Sequence, residues 1–356
     1  MTTFFARLPS SPILCALVAF VSSCATTPPA SAPQPAVSQA AWDACLGPAG
    51  RQRGWSSQGP DLVGTHVTGS DGRAAAVRTF LLDGMSTRDG LPIRRVRVVH
   101  GALVGEIAAA TGPTEIAGAA WDKARVRAVL DCVDGTSLPL TAQIEAVHRD
   151  AERPDADAWL YHLAILDTPS GRQSACDPDL ESRETGATAV EGEAKETGAA
   201  VFAGVWAASG ELRERPGAFT FACAEAAVTK CDRWGYRPES AGDLHAACTR
   251  MARADYCGDG GAATRKGTQV DHWDRDGHAK RGAPRQDQTF EAAWSPRGAV
   301  CMGHPRWQGL AHTCAPSGAA GEKNEFNVPV CHTLAEAEAL AGPGRALLFN
   351  ESRAHR

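Results

Sequence analysis

The run Asp271-His272-Trp273-Asp274-Arg275-Asp276-Gly277-His278 belongs to the densest stretch of acid, imidazole and indole side chains in the sequence. Two chemistries suit it. Carboxylates at Asp274 and Asp276 ahead of Gly277 resemble part of a calcium loop, where alternating oxygens ligate and a glycine turns the chain. Asp271, Asp274 and Asp276 are therefore the metal candidates. The fragment lacks a third acid at the proper interval and the bidentate Glu further on. Asp-Gly is also an ordinary turn pair, and a turn without any ion explains the same residues. His272 and His278 are six apart rather than four, so they do not form a helical zinc pair. The second chemistry is a Cys/His hydrolase, with Cys257 as nucleophile beside His272 and Asp271. It requires a free thiolate at Cys257.

The cysteine pattern argues against that thiolate. Twelve cysteines are scattered singly, with no C-x-x-C pair. Such spacing suits disulfides better than zinc, whose sites usually draw two ligands from one knuckle. The common serine and zinc hydrolase signatures, G-x-S-x-G, H-E-x-x-H and S-x-x-K, are absent, as are a P-loop and a dinucleotide fingerprint. No cofactor is expected. The net charge of −5 and the lack of a basic cluster disfavour nucleic acid as a partner.

The N-terminus sets the expected compartment. Residues 1–23 carry one charge, Arg7, and an apolar run from Ile13 to Val21. That run is too short to span a bilayer and suits a signal-peptide core. Val21-Ser22-Ser23-Cys24 resembles a bacterial lipobox, which makes Cys24 the expected lipidation site. The Pro/Ala/Ser-rich residues 24–41 read as a disordered tether. The expected address is the cell envelope: an outer-membrane lipoprotein, or a periplasmic or extracellular surface, held to the membrane by lipid.

The elements that must position these residues come in two styles. From Trp42 to about Phe221, short alternating runs are broken by Gly, Asp and Pro: residues 61–69, 77–82, 93–99, 124–132, 140–147, 159–166 and 201–206. A period near two favours an antiparallel sandwich or small barrel. Residues 168–198 are polar and acidic, the composition of a long surface loop. Further on, FACAEAAVTKCDRW over 221–234 reads as an Ala-rich helix ending at Gly235. Ser240 and Asp243 resemble a capping box for a second helix, whose Leu244, Ala247, Cys248 and Met251 form one apolar stripe. Residues 289–294, 298–302 and 346–350 read as strands and 333–341 as a helix. The fold class expected is α+β: a β-rich N-terminal sandwich or small barrel, then a disulfide-linked helical hairpin with short strands.

Helical geometry suggests the sulfur pairs. Cys223 and Cys231, eight residues apart on one helix, would be about 12 Å apart, too far to bridge. Antiparallel helices would instead pair Cys231 with Cys248 and Cys223 with Cys257. Without Cys15 and Cys24, ten cysteines remain: three before the hairpin, four in it and three after. Complete pairing then ties both flanks to the hairpin or leaves each flank with an odd thiol.

Ala254-Asp255-Tyr256-Cys257, within HAACTRMARADYCGDG, together with TFACAEAAVTKCDRWGYRP and FEAAWSPRGAVC, resembles the ADYC-domain proteins, exported and often lipid-modified proteins of myxobacteria-like bacteria. Weaker likeness runs through DLVGTHVTGSDG, YHLAIL and LLFNES. The resemblance implies an envelope protein and brings no active-site assignment. Composition, patterning and the resemblance together divide the chain into residues 1–23 (signal peptide), 24–41 (tether), 42–200 (β-rich, with the acidic loop 168–198) and 201–356 (ADYC-type α+β region). Asp255 and Tyr256 read as structural, at a helix-to-loop junction locked through Cys257. The functional expectation is a binding or structural module for an envelope protein or polysaccharide. The alternative is an envelope hydrolase or metal-binding protein with its site at Asp271–His278.

Overall fold

The computed structural model describes residues 37–46, 66–68, 74–132, 135–153, 158–169, 171–176, 198–206, 212–213, 217–265, 267–283, 285–315, 322–341 and 346–355. The expected signal peptide, Cys24 and most of the acidic loop lie outside them. The first element is helix α1 (Gln39–Leu46). It begins inside the stretch read as tether, because Ser38 Oγ accepts the Ala41 N–H, Trp42 is buried, and Cys45 is bonded to Cys132.

Strands β1 (His66–Thr68) and β2 (Ala74–Ser86) precede a small meander of β3 (Ile93–Val99), β4 (Ala102–Ala109) and β5 (Gly112–Ala117). Next come β6 (Arg125–Asp131), β7 (Ser137–Arg149), β8 (Trp159–Ile165), β9 (Gln173–Ser174), β10 (Ala199–Ala203), β11 (Val205–Trp206), β12 (Leu212–Arg213) and β13 (Phe219–Cys223). The large sheet runs β1-β2-β6-β7-β8-β10-β13, with β9 joined to β8, and every pairing in it is antiparallel. Among the described residues it does not close into a barrel. The meander packs over it, and the Leu103 backbone ties the layers: its N–H donates to Tyr161 Oη (2.7 Å) and its carbonyl accepts Trp121 Nε1 (2.8 Å). Trp42, Leu130, Ile144 and Phe221 fill the core beneath.

The first expected helix begins as a strand. Residues 219–223 form β13, and helix α2 starts only at Ala227 and runs to Arg233. Every residue of β13 is buried, with Phe219 and Phe221 in one core and Ala222 in another. A strand covered on both faces lacks the polar alternation that would distinguish it from a helix in sequence. The expected break at residue 200 falls within β10, which pairs with β8 on one side and β13 on the other.

Helix α3 (Gly242–Arg253) is the pivot of the molecule. Its N-cap is Ala241 and no side chain caps it, so the Ser240 capping box does not form. The stripe Leu244, Ala247, Cys248 and Met251 packs into a core with Tyr256, Trp294 and Leu348. Residues off the stripe are buried as well, because His245 is set against Phe202 and Trp206. The helix thus bridges the large sheet and a second sheet of order β14-β17-β15-β16. That sheet is built from β14 (Val270–Asp274), β15 (Thr289–Ser295), β16 (Gly298–Met302) and β17 (Leu348–Ser352), with helix α4 (Leu334–Ala341) beside it. Among the described residues, no helix is long and apolar enough to cross a membrane.

Five disulfides close the chain: Cys45–Cys132, Cys176–Cys223, Cys231–Cys248, Cys257–Cys314 and Cys301–Cys331. The expected Cys223–Cys257 bond does not exist. Cys223 ends a strand rather than starting a helix, so it faces Cys176 and not the second helix. Cys257 lies beyond the helix, where the chain has already turned away toward Cys314. Each flank of the hairpin sends one cysteine into it.

Candidate functional site

The Ala254–Cys257 segment forms the junction at the C-terminus of α3. Ala254 takes a left-handed conformation, φ 52°, and its N–H bonds back to Met251 O. That is a helix stop usually given to glycine. Ala254 is the smallest residue with a Cβ and is fully buried there. Asp255 turns back along the helix, pairs with Arg250 and accepts the Gly260 N–H at 3.0 Å. Burial pushes the Asp255 carboxyl above its ordinary range, with Arg250 and Arg253 opposing.

Tyr256 enters the second sheet. Its ring stacks on Trp294 with centroids 5.2 Å apart. Its hydroxyl donates to Glu291 Oε1 at 2.9 Å and accepts the Arg306 N–H at 2.7 Å. Burial drives this phenol far up, with the Glu291 charge adding to the effect. The Arg306 side chain is buried and all five of its N–H groups have acceptors. Nε and Nη2 hold the two Glu291 oxygens at 3.0 and 3.1 Å, Nη2 also reaches Met251 O, and Nη1 reaches Ala252 O and Thr264 Oγ1. A helix C-terminus leaves its last carbonyls without their usual intrahelical partners; Arg306 takes Ala252 O and shares Met251 O with the Ala254 N–H, so it caps α3 from outside. Burial would raise the Glu291 carboxyl, but the Arg306 charge and hydrogen bonds outweigh it and hold it below the usual range. Asn350 Nδ2 donates to Glu291 Oε2 (2.8 Å) and accepts Trp294 Nε1 at its Oδ1 (2.7 Å), which completes the network.

The turn between β15 and β16 closes on the junction. Ala299 N–H donates to Tyr256 O (2.9 Å), and Arg250 Nε to Pro296 O (3.1 Å). Gly258 has φ +69°, and a Cβ there would lie 1.9 Å from Arg297 O. Thus FEAAWSPRGAVC and ADYCG are two halves of one joint: Glu291, Trp294, Pro296 and Ala299 each meet a residue of α3 or of the junction after it.

The residues expected to do chemistry are arranged otherwise. Residues 270–274 form β14, paired with β17. Asp274 is buried; it accepts the Tyr236 hydroxyl at 3.1 Å and the backbone N–H groups of His278 and Ala279. It therefore holds the Asp-Gly turn together. Asp271 accepts the Gly282 N–H at 3.0 Å. Asp271 and Asp274 are three apart on β14, so strand alternation sends them to opposite faces, and Asp276 is exposed on the turn beyond the strand. His272 packs on Trp234, with centroids 4.6 Å apart, and burial lowers its pKa against the pull of Asp271 and Asp274. Trp273 and Trp294 are core, while Trp307 is half-exposed between Arg265 and His355.

Cys257 holds no thiolate, being bonded to Cys314. Beside that bond, His312 Nε2 lies 3.0 Å from Asp259 Oδ2, and both side chains are exposed. Burial raises the Asp259 carboxyl, but hydrogen bonds from His312 and Gly261 more than offset it and lower its pKa. Cys257, Asp259 and Cys314 line a surface cleft of about 170 Å³. The approach of His312 carried no local signal in sequence, being 53 residues from Asp259.

Fold and junction define a disulfide-rich α+β protein built around a buried helix-to-loop lock. A family model described as the ADYC domain matches residues 116–308, more than half of the chain, and the chain belongs to that family. Neither a curated protein nor a solved structure matches it.

Proposed function

We propose that this protein is a lipid-anchored component of the cell envelope whose folded body is a binding or structural module. One observation carries the reading. Every polar member of the family motif is committed to a partner within the chain: Asp255 to Arg250, Tyr256 to Glu291 and Arg306, Cys257 to Cys314. The motif is accounted for as a lock, with no substrate required. Five disulfides fit an oxidising, extracytoplasmic compartment. Val21-Ser22-Ser23-Cys24 supports attachment through Cys24, and the Pro-rich residues that follow support a tether between lipid and body.

Growth with an alkynyl palmitate tests the anchor. The full chain should take label and sediment with membranes, and Cys24→Ala should lose both. An unlabelled chain, or labelling that persists in Cys24→Ala, refutes it. Co-sedimentation with purified envelope polysaccharide tests the partner class.

A further inference from the structure

We infer that Cys257, Cys314, Asp259 and His312 form a zinc site that is masked while the Cys257–Cys314 disulfide is closed and unmasked when a dithiol reduces it. The ligand atoms are already gathered. One ligand atom each from Cys257, Asp259 and His312 lie within 4.8 Å of one another. The fourth, Cys314 Sγ, is 2.03 Å from Cys257 Sγ. Two thiolates, an imidazole and a carboxylate are donor types that four-coordinate zinc accepts, at about 2.0–2.3 Å from the metal. On reduction the two sulfurs must part from 2.03 Å to about 3.8 Å, the separation of two thiolates on one tetrahedral zinc, while the carboxylate and the imidazole draw in. The sequence hides it because its ligands come from two loops, 257–259 and 312–314, neither with a C-x-x-C knuckle.

Access separates this bond from the other four. Neither Cys257 nor Cys314 is buried, whereas each of the other pairs contains at least one buried cysteine. Thiol–disulfide exchange needs an approach to sulfur, and the cleft at Cys257 and Cys314 offers one. In the exchange the dithiol becomes a cyclic disulfide and gives two electrons and two protons to the cystine, forming two thiols. Zinc then binds both as thiolates and releases two protons. With the disulfide closed only Asp259 and His312 remain, and they hold each other.

The test uses the full chain in detergent, treated with increasing amounts of a phosphine reductant. Alkylation and peptide mapping give the order in which cysteines open, and a chromophoric chelator competes for added zinc. Cys257 and Cys314 should be alkylated first. That partly reduced form should bind one zinc per chain, and the oxidised form none. His312→Ala changes an exposed side chain, so it should leave the fold and the order of reduction unchanged. It should weaken zinc binding at least about tenfold, the lower end of what loss of a supporting group costs a metal site. A different pair opening first overturns the inference. So does zinc binding that is equal in both redox forms, or binding indifferent to both His312→Ala and Asp259→Asn.

Discussion

At the scale of single residues, the network around Tyr256 sets how costly each change is. Removing one partner of a buried ion pair strands the other, at about 3–5 kcal/mol. Glu291→Gln or Arg306→Met should destabilise by that amount in urea unfolding. Tyr256→Phe keeps the stack on Trp294 but leaves the Arg306 N–H and one Glu291 oxygen short of a partner, which should cost about 1–3 kcal/mol. His245 gives a pH signature. Burial lowers its pKa from 6.5 to about 4, while its Nε2 bonds to Val228 O. Between those values the unfolded chain binds the extra proton, so the contribution is complete above 6.5 and is lost as pH falls toward 4. The difference of about 2.5 units corresponds to about 3 kcal/mol. Unfolding curves measured across that window should show this loss in the wild type and not in His245→Gln. Little of this network was legible in sequence. Its one local sign is Glu291, a lone acid inside the apolar run from Phe290 to Trp294, and its partner Arg306 lies 15 residues away.

At the scale of elements, α3 and the turn between β15 and β16 fit together by close backbone approach. Gly258→Ala puts a Cβ onto the Arg297 carbonyl at a positive φ, and should cost about 1–3 kcal/mol or more. Gly277→Ala is the control, because its φ is also positive, +81°, but nothing lies within 4 Å. It should cost only the backbone strain, about 1–2 kcal/mol. Equal losses from both would show that the contact contributes nothing. Cys231–Cys248 closes a 17-residue separation between the two helices, and replacing both with Ala should cost about 3 kcal/mol by loop entropy. Strands with one covered face, such as β3 with its exposed arginines, could be read from alternation. β15, β16 and the helix at 334–341 could be read from the turn residues that bound them, although β15 is covered on both faces. Reading failed at β13, a doubly covered strand that runs into the Ala-rich helix after it, and where acids and aromatics crowd an edge strand, at β14. There the side chains reflect turn-holding and packing on Trp234 and Tyr236, and sequence alone cannot distinguish that from a site.

At the scale of the whole molecule, the disulfides form a chain of ties. Each flank keeps one pair to itself and sends one cysteine into the hairpin, which holds the central pair. Buried ion pairs reinforce the join: Arg233 makes two 3.0 Å bonds to Asp150, and Arg153 reaches Asp232 at 2.6 Å. Burial raises the Asp232 carboxyl to about 6 despite Arg153. The even cysteine count allowed this pattern to be anticipated, but not the individual partners, since connectivity depends on which loops meet. Sulfur bonding is therefore the property on which compartment, architecture and the closed state of the family motif all rest. The most direct measurement is peptide mapping of the protein taken from cells, with thiols blocked at acid pH before lysis. The account predicts five cystine peptides joining 45 to 132, 176 to 223, 231 to 248, 257 to 314 and 301 to 331, with no blocked thiol in the folded body beyond a reduced fraction at 257 and 314. Blocked thiols at the other eight positions, or any other connectivity, would contradict it.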